Sequence, residues 1–131
     1  PLVAVYAERF WAHRFALVGD AAVGMHPVTA HGYNFGLYGI EVLLRELVAA
    51  RRQGLPLGDA RALQAYASAH RRTTLPTYVG TNAIVKLFTN DRPAAHVLRH
   101  AILQVSRHLP PLKAAITRQL TGQGAPHVGL R

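Results

Sequence analysis

Phe15-Ala16-Leu17-Val18 is a continuous apolar run that stops at Gly19-Asp20, and little else in the 131 residues reads as a strand. An apolar run without alternation is expected of a strand covered on both faces in a parallel sheet. Such a strand needs neighbours. The chain offers one other extended segment, Leu2 to Tyr6, separated from it by Ala7 to Arg14 with the bulky Phe10-Trp11 pair. The pattern therefore predicts one or two short strands, a glycine-rich turn and four or five helices.

The helices follow from local signals. A helix is expected from Asn34 to Gln53, with Leu37, Ile40, Leu43, Leu44, Leu47 and Val48 as its apolar positions, Asn34 as N-cap and Gly54 as the stop. Asp59 should cap a helix through Leu63, Tyr66, Ala67 and His70 that ends before Pro76. A further helix is expected over Thr77 to Phe88, broken by Thr89 to Pro93. From Ala94 to Leu109 the residues Val97, Leu98, Ala101, Ile102, Val105 and Leu109 form one stripe, with Arg99, His100, Arg107 and His108 off it. After Pro110-Pro111 a short helix, Leu112 to Leu120, precedes a frayed tail, Thr121 to Arg131.

Composition narrows the classes. Half the residues are apolar and only 16% charged, too apolar for a disordered tail. No apolar run reaches the roughly 18 residues that span a bilayer. The absence of cysteine excludes disulfides and thiolate chemistry and fits a cytoplasmic setting. Fifteen Lys+Arg against six Asp+Glu give a net charge of +9, which invites an anionic partner. The start at Pro1-Leu2 lacks the features of a secretory leader, and the chain is expected to begin downstream of its gene's start.

The stretch from Arg14 to Leu37 carries the chemistry. A strand ends in Gly19-Asp20, small residues turn across its carboxyl end, and a helix begins near Asn34, which is where open α/β sheets hold ligands. Asp20 can accept hydrogen bonds from ligand hydroxyls, and the amides of Gly32, Tyr33 and Asn34 stand where a helix favours negative charge. Gly19-Asp20-Ala21-Ala22, Met25-His26-Pro27 and His31-Gly32-Tyr33-Asn34-Phe35-Gly36-Leu37 fall in this order. That order and spacing resemble the second FAD fingerprint of aromatic-ring flavin monooxygenases of the para-hydroxybenzoate hydroxylase type, most closely the ubiquinone-biosynthesis hydroxylases. Pro1-Leu2 with Ala7, Leu87-Phe88, Leu98-Arg99 and Leu109-Pro110-Pro111-Leu112-Lys113 extend the resemblance over nearly the whole chain. The family's usual His is Val23 here, its Gly-Gln-Gly is Ala30-His31-Gly32, and its Arg-Asp is Tyr38-Gly39, features similar to a demethoxyubiquinol hydroxylase-like subgroup.

The resemblance implies a mostly α-helical fragment of an α/β, Rossmann-like FAD-binding fold. Residues 1–13 would end the substrate-domain strand and cross over, and 14–53 would hold the last FAD-domain strand, the Gly-Asp loop and its helix. Residues 54–120 would form the C-terminal helical region, and 121–131 a flexible tail. It implies that Gly19 and Asp20 bind FAD, with Asp20 on the ribityl hydroxyls, that Pro27 lies beside the isoalloxazine, and that Gly32, Tyr33 and Asn34 face its N1/O2 edge. The implied reaction hydroxylates an aromatic ring, a ubiquinone precursor, through a flavin C4a-hydroperoxide, with NAD(P)H as reductant. The family's Gly-x-Gly-x-x-Gly segment for the ADP half of FAD is missing, so the chain alone is expected to bind FAD weakly and to be inactive.

Blander readings stand beside these. His26 and His31 are the candidates for catalysis, yet a structural hydrogen-bonding role serves each equally well. Tyr33 and Phe35 are the substrate-pocket candidates; Tyr38, Tyr66 and Tyr78 read as core. His96 and His100 lie a turn apart without a carboxylate or thiolate, so no metal site is expected. Ser68 and Ser106 have no nucleophile elbow. The rival reading is a basic helical module for membrane or nucleic acid with a degenerate flavin motif, resting on the basic stretch from Val97 to Leu120. The flavin reading expects no nucleic acid, a cytoplasmic location that includes the periphery of the inner membrane, and leaves a homo-oligomer open.

Overall fold

The computed structural model describes residues 3–27 and 31–108. In chain order these form β1 (Val5–Tyr6), β2 (Trp11–Ala12), β3 (Phe15–Ala16), a 3-10 turn over Gly19–Ala21, β4 (Val23–Gly24), α1 (Gly32–Arg52), α2 (Ala60–Phe88) and α3 (Pro93–His108). The expected features at Pro1-Leu2, at Ala30, from Leu109 to Lys113, over Leu112 to Leu120 and in the tail lie outside the described residues.

The mostly helical content with short strands agrees with the sequence, but the strand chemistry does not. Phe15–Ala16 pairs antiparallel with Trp11–Ala12, Trp11 opposite Ala16 and Ala12 opposite Phe15. The Leu17 N–H donates to the Phe10 carbonyl at 2.8 Å. The run is thus one arm of a hairpin, and Phe15 is 58% exposed. The reason lies in His13-Arg14: Arg14, the second residue of the two-residue connection, adopts φ 57°, the left-handed conformation found at that position of a type II turn. β1 pairs antiparallel with β4, Val5 opposite Gly24 and Tyr6 opposite Val23, and Ala7 N–H continues the ladder to Ala22 O at 3.0 Å.

Helix ends match their local signals at three places. Gly54, at φ 74°, closes α1: its N–H donates to Arg51 O and that of Leu55 to Ala50 O, both at 3.0 Å, a Schellman motif. Asp59 Oδ1 accepts the Arg61 N–H at 2.9 Å and so caps α2. Pro93 opens α3, where its missing N–H costs no helical bond.

Two expectations fail. α1 starts at Gly32, and His31, not Asn34, occupies the cap position without a side-chain cap bond. α2 runs through Pro76 as one helix of 29 residues to Phe88. Proline forfeits one ladder bond, yet the helix flanking it is anchored by Tyr66, His70, Thr74 and Thr81, all buried, and this tertiary packing outweighs the local penalty.

The chain divides into two compact units, residues 1–84 and 85–131. In the first, Phe10, Ala22, Val23, Val42, Tyr66 and Ala67 form the core. Each large side chain among them contributes roughly 1.5–3 kcal/mol by leaving water. Polar atoms are threaded through it: Tyr66 OH donates to Leu17 O at 2.6 Å, and Tyr6 OH pairs with Thr74 Oγ1 at 3.1 Å. The Arg71 guanidinium sits over the Tyr6 and Phe10 rings, 5.2 and 5.1 Å from their centroids, and donates to Ala7 O and Glu8 O. In the second unit, Arg99 donates to Phe88 O and Asn90 O, each at 3.1 Å, tying the end of α2 to the turn before α3.

Candidate functional site

The Gly-Asp turn and the start of α1 come together. Gly19 takes φ 59°, a conformation that only glycine adopts cheaply, and reverses the chain so that Ala22 N–H returns to Gly19 O at 3.0 Å. The first turn of α1 packs directly on it. A Cβ at Gly36 would stand 3.5 Å from Gly19 Cα, and one at Gly32 would stand 3.6 Å from Asp20 Oδ1. Both are ordinary packing distances, so the helix start rests on the loop at van der Waals contact and the Asp20 carboxylate lies against the leading end of the helix.

The first amides of a helix have no acceptor four residues back within it. The first bond within α1 runs from Phe35 N–H to His31 O at 3.0 Å. The amides of Gly32, Tyr33 and Asn34 precede it and have no partner inside the helix. Asp20 is exposed, as are Tyr33, Asn34 and Pro27, and Gly32 is half-buried. An acceptor carboxylate beside the amides of a helix start is a combination whose chemistry fits the polyhydroxyl chain and electron-rich edge of a flavin.

The other candidates fall around this corner. His31 is buried, its ring 5.9 Å from the half-buried Phe35, and His26 is half-buried. Tyr33 is 76% exposed and takes no part in the core. Tyr66 is buried and Tyr38 and Tyr78 half-buried, in keeping with a packing role. His96 and His100 are both exposed on α3.

Sequence reasoning places His70 on its helix and assigns it no role. It is fully buried, neither ring nitrogen has a hydrogen-bond partner, and burial pushes its pKa down to about 4. Its ring stacks on Tyr66 and Tyr38, with centroids at 5.6 and 5.9 Å, and tilts against Phe10 at 5.4 Å. Burial likewise pushes the Tyr66 hydroxyl up to about 12, so it stays a donor to Leu17. The signal was present: the resemblance marked Tyr38-Gly39 as a departure. A Cβ at Gly39 would stand 2.9 Å from His70 Cε1, and Tyr38 stacks on the same ring, so the unusual pair makes room for this histidine.

No protein-family model matches the chain, and no solved structure matches it. Among curated proteins it is 47% identical over 122 residues to the ubiquinone hydroxylase UbiM of Neisseria meningitidis, covering 93% of this chain and 26% of that protein. It is 44% identical over 117 residues to the ubiquinone hydroxylase UbiL of Rhodospirillum rubrum, covering 88% of this chain and 27% of that one. The mitochondrial ubiquinone biosynthesis monooxygenase COQ6 of Saccharomyces cerevisiae is 31% identical over 123 residues, 93% of this chain and 26% of the relative. The chain spans about a quarter of the length of the curated relatives it matches.

Proposed function

We propose that this chain, homologous over nearly its whole length to ubiquinone-biosynthesis hydroxylases and monooxygenases, is the flavin-facing piece of an FAD-dependent enzyme that hydroxylates an aromatic ubiquinone precursor. The observation that carries the reading is the Asp20 carboxylate packed against the leading end of α1, beside the approach of Gly36 to Gly19. The similarity to hydroxylases across the chain supports it over a basic binding module.

In this reading Asp20 accepts hydrogen bonds from the ribityl hydroxyls, and the Gly32, Tyr33 and Asn34 amides offset negative charge on the flavin's N1/O2 edge. Pro27 lines the ring system, and Tyr33 and Phe35 stand where a substrate ring would approach. Bound FAD supplies the redox chemistry: NAD(P)H gives an electron pair as hydride, one atom of dioxygen enters the ring as hydroxyl, and the other leaves as water. The protein's part is to hold, orient and shield from water.

Replacing Asp20 tests this in the complete enzyme. A charged hydrogen-bond acceptor contributes roughly 1.5–3 kcal/mol, so Asp20→Ala should weaken FAD affinity about ten- to hundredfold by fluorescence titration, with Asp20→Asn between the two. An unchanged affinity removes Asp20 from this role. A complete protein that stays colourless after reconstitution with FAD overturns the reading.

A further inference from the structure

We propose that the groove between the β2–β3 hairpin and α2 binds a carboxylate joined to an apolar body, with Arg71 as the anchor of the anion and Trp11 beside the body. The groove lies within the first unit and encloses about 590 Å³, inside the range of roughly 300–1,000 Å³ that small-ligand sites occupy. It shares no residue with the corner formed by Gly19, Asp20 and the start of α1. Helical spacing builds one wall: Gln64, Ala67, Ser68 and Arg71 recur at three and four residues and so share a face of α2. Residues 8–13 of the hairpin and its approach supply the other wall.

Arg71 is held before any ligand arrives. Its guanidinium is half-buried over the Tyr6 and Phe10 rings, and Nη1 alone is engaged, donating to Ala7 O and Glu8 O at 3.3 and 2.7 Å. Nε and Nη2 have no hydrogen-bond partner among the described residues. These two groups form the side edge of a guanidinium, the fork that takes a carboxylate in two parallel bonds. A fork already fixed in place loses little side-chain freedom on binding.

The rest of the groove selects what the fork holds. Arg9 is exposed and, like Glu8, forms no ion pair among the described residues. Two arginines against one glutamate leave an excess of one positive charge, which a single negative charge answers and the double charge of a phosphate overshoots. Gln64 and Ser68 are exposed one turn apart and add neutral donors on the same wall. Trp11 is half-buried, and with the buried Phe10 and Ala67 it gives the ligand's body an apolar surface that a purely polar anion would leave in water.

The proposal rests on this groove and not on the flavin reading, and each can fail without the other. Trp11 is the single tryptophan of the chain, so its fluorescence reports on the groove. The full chain is titrated at constant ionic strength with hexanoate, with its neutral analogue hexanamide, with hexyl phosphate, and with acetate as the acid lacking a body. Hexanoate should change the emission saturably and bind at least about tenfold more tightly than each of the others. Arg71→Lys keeps the charge but loses the planar fork, and should weaken hexanoate binding by about tenfold. Ser68→Asp sets a second carboxylate on the same face of α2 and should weaken it at least as much. Ser68 is exposed and makes no side-chain hydrogen bond among the described residues, so this variant decides the matter if circular dichroism shows that Arg71→Lys loosens the fold. N-acetyl-leucine separates two sources of such a carboxylate: tighter binding than hexanoate assigns the groove to the C-terminal end of a peptide, weaker binding to a small free acid. A response that never saturates, equal binding of hexanamide or acetate, equal or tighter binding of hexyl phosphate, or indifference to Ser68→Asp overturns the proposal.

Discussion

Lowering the pH from 6.5 to 4 should strip about 3 kcal/mol from the stability of the first unit, and His70 is the residue that carries this loss. In the unfolded chain a histidine takes up its proton near pH 6.5, while in the fold burial holds His70 neutral until about pH 4. Between these values the unfolded state binds the extra proton, so stability rises with pH, at about 1.4 kcal/mol per pH unit. The contribution is fully present above pH 6.5, drains away as the pH falls, and shows no further loss below about pH 4. Nothing near the ring relieves the charge: Tyr66, Tyr38, Phe10 and Gly39 surround it and neither nitrogen has a partner. Urea melts across the pH range measure the slope. His70→Phe keeps the stacked ring, removes the titrating group, and should flatten the profile in this window without lowering stability at pH 7. An acid slope that survives in His70→Phe would assign the effect to other groups.

Gly39→Val should cost about 3 kcal/mol, the upper part of the range for overpacking a well-filled core. The new Cβ would stand 2.9 Å from His70 Cε1 and 3.1 Å from Nε2, and the ring has nowhere to retreat because three aromatic neighbours hold it. Gly39→Ala meets the same contact with less bulk and recovers about 1 kcal/mol of helix propensity, so it should lose less. Combining Gly39→Ala with His70→Ala should give a variant more stable than the sum of the singles, because removing the ring removes the clash. A Gly39→Val protein that melts at the parent temperature would mean that α1 and α2 can slide apart at this point.

The two residues show where legibility ran out. Gly54 and Asp59 act through the backbone within a few positions of themselves, so the sequence alone located the end of α1 and the start of α2, while Pro93, expected as part of the break before Ala94, is itself the first residue of α3. Gly19-Asp20 and the Gly32 to Gly36 segment were likewise legible as a loop meeting a helix. Asn34 was misplaced as a cap because the start of α1 lies against Asp20, 14 residues upstream of Asn34, which local pattern does not register. Pro76 reads as a stop because its penalty is local, while the compensation comes from the burial of Tyr66, His70, Thr74 and Thr81 along the same helix, which only the tertiary packing supplies. Phe15 to Val18 was read as a doubly covered strand because apolar runs look alike whether their partner is a parallel strand or the other arm of a hairpin.

What the sequence determined by itself is the set of features whose physics is short in range: helix ends, the Gly-Asp reversal, the cation-only segment after Asp91, and the resemblance carried by the compound motif. The tertiary structure alone decided that Tyr38-Gly39 and His70 form one unit across α1 and α2, separated by 31 residues from Gly39 to His70. It also decided that the Asp20 carboxylate meets the start of α1. Burial, stacking and steric exclusion act between surfaces that touch, and which surfaces touch is a property of the whole fold and not of any window of the chain.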